Sequence, residues 1–92
     1  MAVYHPSGAH TSVSLSGVTT LTNNSDEFRR GVLVQALTQN IRYTLSNTTP
    51  TSSLGFQLKA GDQPVRIDLD AGMSIRFIEE TSGAVLQYQW IA

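Results

Sequence analysis

Between residues 41 and 90 the chain repeats one device: a short run in which apolar and polar side chains strictly alternate, closed by a cluster of turn formers. Ile41, Tyr43 and Leu45 alternate with Arg42, Thr44 and Ser46, and Phe56 and Leu58 with Gln57 and Lys59. The same rhythm continues through Val65, Ile67 and Leu69, through Met73, Ile75 and Phe77, and through Leu86, Tyr88 and Trp90. A period of two sends successive side chains to opposite faces, so each run is a strand with one buried and one wet face. Asn47 with Pro50, Ala60-Gly61-Asp62, Asp70-Ala71-Gly72 and Thr81-Ser82-Gly83 supply the turns. Asn tolerates the left-handed conformation, and Pro fixes its own φ and holds the preceding residue extended. Turns recurring roughly every 10 residues, with no helical period between them, predict an all-β fold: a small antiparallel β-sandwich, immunoglobulin-like or jelly-roll-like.

Residues 31–37 (Gly-Val-Leu-Val-Gln-Ala-Leu) depart from alternation. A nearly continuous apolar run of strand length predicts a strand covered on both faces, and Thr38-Gln39-Asn40 predicts a hairpin into the strand that begins at Ile41. Upstream the character changes. Residues 1–26 are crowded with Ser and Thr, and Val13 and Leu15 are the few bulky side chains that alternate there. Such a segment has little to pack with on its own, so it is expected to be an extended N-terminal arm, with the sandwich domain spanning residues 27–92.

A chain of 92 residues suits one domain with a thin core. It has no Cys, so neither disulfides nor thiolate metal sites can reinforce that core, and association of copies becomes the available reinforcement. A formal charge of -1 with 14% charged residues gives no field for phosphate backbones, so no nucleic-acid partner is expected. Nor is a membrane partner expected, since no stretch approaches the roughly 20 apolar residues of a span.

Candidate chemistry is sparse. Asp62, Asp68 and Asp70 lack the spacing and closing Glu of a calcium loop, and the adjacent Glu79 and Glu80 of a strand point to opposite faces. There is no Cys nucleophile, phosphate loop or nucleophile elbow, so no catalytic residue, metal site or cofactor is expected. Arg42, Arg66 and Arg76 fall on the polar phases of their strands, suited to a solvated face or to a protein contact. Together with Val3, Tyr4, Val13 and Leu15 of the arm they are the expected protein-interaction residues.

Ile41-Arg42-Tyr43-Thr44-Leu45 followed by Thr48-Thr49-Pro50-Thr51 resembles the short signature of the immunoglobulin-like domains near the C-terminus of chitobiases and related bacterial hexosaminidases. The likeness covers about a dozen residues, and Ser46-Asn47 stands where that family has Asp-Gly. Residues 31–90, with the segment Gly55-Phe56-Gln57-Leu58-Lys59-Ala60-Gly61-Asp62 and a closing C-terminal strand, are similar to small β-sandwich accessory proteins of tailed-phage virions, of the capsid decoration or cement type. That resemblance implies a homo-oligomer, with a trimer the expected number, made in the host cytoplasm. It implies a place on the capsid exterior, where the oligomer would bind the major capsid protein and stabilise the shell. The alternative expectation is a phage tail, baseplate or adhesin-type module that holds a host-surface glycan through Tyr43, Tyr88 and Trp90 or through residues 47–53.

Overall fold

The structure is a computed structural model that describes residues 6, 9–24, 29–45 and 48–92. Eight strands follow one another: β1 (Thr11–Ser14), β2 (Thr19–Thr22), β3 (Gly31–Leu37), β4 (Ile41–Leu45), β5 (Phe56–Leu58), β6 (Val65–Asp68), β7 (Ser74–Glu79) and β8 (Val85–Ile91). They form two antiparallel sheets, a first in the order β1-β8-β3-β6 and a second in the order β2-β7-β4-β5. The fold is an all-β sandwich.

Its strand order has a simple origin. β4 pairs with β5, β3 with β6, β2 with β7 and β1 with β8, so the chain is one long antiparallel ribbon folded back on itself. In three of these ladders the partners share one midpoint, between residues 49 and 50, as Ile41↔Leu58, Gly31↔Asp68 and Thr11↔Tyr88 show. Pro50, fully buried, therefore stands at the reversal of the whole ribbon. Rolling the ribbon then lays β3 against β8 and β4 against β7, which is the jelly-roll arrangement and not the immunoglobulin one.

The core lies between the sheets. Val32, Val34, Ala36, Ile67, Leu86 and Trp90 enter it from the first sheet, and Leu21, Ile41, Leu58, Ile75 and Phe77 from the second. Each belongs to the inward phase of its strand, and full burial of such a side chain contributes about 1.5–3 kcal/mol.

Three expectations are corrected. The segment expected to be an arm supplies an edge strand to each sheet of its own chain, through β1 on β8 and β2 on β7. Leu15 and Leu21 are buried there and Val13 packs against the core, so residues 9–24 are part of the sandwich. β3 and β4 do not form a hairpin, because they lie in different sheets. Residues 38–40 instead cross between sheets, with Thr38 at φ 67 and its hydroxyl donating to the Leu37 and Gly83 carbonyls. Finally, β3 is fully buried on one face but only half-buried on the other, where Leu33, Gln35 and Leu37 stand on the outer side of the first sheet.

Asn23 fastens the crossing that follows β2. Completely buried, it donates through Nδ2 to the Arg29 carbonyl at 2.8 Å and the Leu69 carbonyl at 2.6 Å. Its backbone exchanges bonds with Met73 and Gly72 at 2.9 and 2.7 Å. One amide thus ties β2 to the segments that open β3 and follow β6. Replacing Asn23 with Ala should leave two carbonyls without their donor and cost about 2 kcal/mol, lowering Tm by on the order of 10 °C in a calorimetric scan.

Candidate functional site

The long reversal between β4 and β5 builds an open apolar feature. It begins with the inward phase of β4, where Tyr43 lies opposite Phe56 of β5 and Phe77 of β7. Ring centroids stand 5.6 Å apart for Tyr43 and Phe56 and 6.1 Å for Tyr43 and Phe77, tilted at 44° and 42°. Such tilted contacts stabilise beyond the area they bury. Phe77 is fully buried while Phe56 is 65% exposed, so the three rings form a stair from core to solvent. Phe56 emerges because β5 is the edge strand of its sheet, and no further strand covers the ring.

Residues 48–55 shape the rest. Thr44 Oγ1 donates to the Thr48 carbonyl at 2.5 Å. Thr51 and Leu54 exchange both backbone bonds, at 3.1 and 3.2 Å, a tight turn that presents the Leu54 side chain outward at 51% exposure. Gly55, at φ 132, approaches the β4 backbone so closely that a Cβ would stand 2.8 Å from the Tyr43 carbonyl oxygen. Only Gly meets both conditions. The result is an open cleft of about 420 Å³ lined by Tyr43, Thr44, Leu45, Thr48, Leu54, Gly55 and Phe56. Burial pushes the Tyr43 phenol above its ordinary value, so the ring stays neutral at the cleft wall.

On the outer face of the second sheet a polar clasp holds β5 in place. Glu80 Oε2 accepts from Arg42 Nε and from Gln57 Nε2, each at 2.7 Å, and Arg42 also donates to the Gly55 carbonyl at 2.9 Å. Its neighbour Glu79 caps the β1–β2 crossing by accepting from Gly17 N at 2.9 Å. The two carboxylates point apart and serve different strands.

The expected interaction residues do not form one surface. Val3 and Tyr4 lie outside the described residues. Val13 and Leu15 face the core, and Leu15, 6% exposed, is not available to a partner. Arg42 and Arg76 share the outer face of the second sheet, where Arg76 donates to Thr49 at 3.3 Å. Arg66 lies on the first sheet, ion-paired with Asp68 at 2.8 Å. Nor do Tyr43, Tyr88 and Trp90 make a platform. The first belongs to one sheet and the others to the opposite one, and Trp90 is buried beneath the Arg29 guanidinium, 4.9 Å from its ring.

Leu45, Leu54 and Phe56 were missed as site residues. Alternation places Leu45 and Phe56 on the apolar phase, which implies burial wherever the facing sheet extends that far. A signal was nevertheless present in the Gly-Phe step at 55–56, since Gly next to a bulky residue at a strand start marks a close backbone approach. Among the described residues no group of three or more His, Cys, Asp or Glu is placed to hold a metal ion.

The clasp sets an acid dependence. The Gln57 amide first, and then Arg42 and Asn40, hold the Glu80 carboxyl below its ordinary value of 4.5 against the opposing effect of partial burial. A folded-state value lower than the unfolded one contributes stability that is present above 4.5 and is lost as pH falls through the folded value. The wild type should therefore unfold at a higher temperature than Glu80→Gln at neutral pH, and the gap should close as the pH drops below 4.5. A gap independent of pH in parallel melting scans would show that the carboxylate charge plays no part.

Compared with protein-family models, curated proteins and solved structures, the chain matches none of them.

Proposed function

We propose that this protein is a non-enzymatic structural module of a phage virion, a homo-oligomer that decorates the capsid and binds the major capsid protein through the open apolar end of its second sheet. The observation that carries this reading is the exposure of Leu45, Leu54 and Phe56, at 42%, 51% and 65%, around one cleft. Large apolar side chains grouped at the surface mark a contact site. Two of them are also pre-organised, Phe56 by its stair of rings and Leu54 by its turn, so ordering them on binding costs little. The sequence resemblance to virion accessory proteins supplies the kind of partner.

Such a module would act by mass action. A protein that binds only the assembled shell stabilises it by RT ln(1 + [L]/Kd) per site, about 2.7 kcal/mol at a hundredfold excess over Kd.

A second reading, glycan binding by a tail or adhesin-type module, is favoured by one feature. The exposed Thr48 shares the cleft with the Phe56 ring, and a hydroxyl near an aromatic face suits a sugar. The two exposed leucines on the same rim favour an apolar protein partner instead.

Heating shells with and without saturating protein separates these readings. Decorated shells should disrupt at a higher temperature, and Phe56→Ser should weaken attachment ~10-fold or more while costing the fold only the ~1 kcal/mol of the ring's contact with Tyr43. Equal disruption temperatures, or a Phe56→Ser variant that binds shells as well as the wild type, would remove the capsid assignment, and glycan binding lost in the same variant would replace it.

A further inference from the structure

Residues 51–57 hang between two anchors. Pro50 and Leu58 are buried, but no side chain between them is, so apolar burial does little to hold this segment to the sandwich. What holds it is a short ladder and a set of polar ties. β5 is an edge strand paired on β4 through Ile41↔Leu58, Arg42↔Gln57 and Tyr43↔Phe56, and of its side chains Leu58 alone is buried.

The polar ties converge on one atom. Arg42 of β4 and Gln57 of β5 both donate to Glu80 Oε2, each at 2.7 Å. The same guanidinium reaches with Nη1 to the Gly55 carbonyl at 2.9 Å, and Gly55 and the following Phe56 are walls of the cleft. A single carboxylate thus fixes β5 directly, through Gln57, and the start of the cleft wall indirectly, through Arg42.

That arrangement depends on charge. An ionised carboxylate only accepts, and its bonds from a guanidinium and an amide are charge-assisted. A protonated carboxyl keeps part of its acceptor capacity but loses the charge that Arg42 pairs with. Among the described residues, the groups that meet the Glu80 carboxyl are Gln57 of β5, Arg42 of β4 and Asn40 of the crossing before β4, and of these Arg42 alone is charged. Glu79 beside it is turned to Gly17. No other described acid takes the place of Glu80 once its charge is gone.

We propose that Glu80 is an acid-operated catch on the cleft: when it is protonated, Arg42 and Gln57 let go, residues 55–57 lift from β4 about the buried Leu58, and the Phe56 wall withdraws while both sheets stay folded. Segments with little buried apolar surface open locally at a lower free energy than the core does. The cleft is then complete near neutral pH and dismantled in acid, so an apolar partner seated there is released as the pH falls. Glu80 is a positioning residue in this device, acting on the cleft through Arg42 and Gln57. The proposal stands on the geometry of the cleft and not on what binds it.

Nuclear magnetic resonance of the free protein tests it without shells or ligand, so its outcome is separate from that of the attachment experiment. Cross-peaks between the Tyr43 and Phe56 rings, whose centroids stand 5.6 Å apart, are followed in steps from about pH 7 to about pH 2.5. In the wild type they should be lost in acid while cross-peaks between Tyr43 and Phe77 and the amide shifts of β3 and β8 persist. Glu80→Gln should lack them already at about pH 7 and show no further loss on acidification. Should that variant fail to fold, the wild-type titration decides alone. Rings that stay in contact throughout, rings that part only together with Tyr43 and Phe77, or a folded Glu80→Gln that keeps the contact at neutral pH would overturn the proposal.

Discussion

The ladder between β3 and β8 is the contact on which the rest of this sandwich depends. It pairs seven residues on each side, from Gly31↔Ile91 to Leu37↔Val85, and it joins strands that are not neighbours in the unrolled ribbon. Without it, the ribbon would remain a double-stranded band with Val32, Val34, Leu86 and Trp90 facing water. With it, one sheet closes over the other and the fully buried Phe77, Ile41 and Ile75 gain a roof. Gly31 allows the neighbouring approach of β6 on the other side, since a Cβ there would stand 2.8 Å from the Ile67 carbonyl oxygen. A central strand flanked so tightly cannot change register without exchanging its inner and outer residues.

Much of this was legible from residue order. Ile41, Leu58, Ile67, Ile75, Phe77, Leu86 and Trp90 all occupy the apolar phase of alternating runs, and all are buried. The N-terminal strands were not legible, for a physical reason. β1 and β2 carry mostly Ser and Thr, and their stability comes from backbone ladders to β8 and β7, at separations no local window spans. Only Val13, Leu15 and Leu21 needed to be apolar, too few to announce a strand. The crossing at residues 38–40 was misjudged likewise, because a three-residue link joins paired strands and strands of opposite sheets equally well.

The candidate site was half legible. Tyr43 and the turn around Pro50 stood out, while Leu45, Leu54 and Phe56 did not, because alternation specifies the direction of a side chain and not whether anything lies above it. At β5 the second sheet ends, and inward-directed residues become surface. The arginines show the converse. Placed correctly on polar phases, they are distributed over two opposite faces by a topology that their spacing does not encode, and they meet Glu80, Asp68 and Thr49 there.

The shared midpoint of three ladders at residues 49–50 has a consequence for how the molecule comes into being. Loop closure costs more as the enclosed segment lengthens, so the β4–β5 ladder is the cheapest to form and the β1–β8 ladder, which links residues 77 positions apart, the most expensive. Assembly accordingly spreads from the middle of the sequence towards both flanks, like a zip drawn outward from a pin. On a ribosome β1 thus has to wait for β8 to emerge before it can find its place.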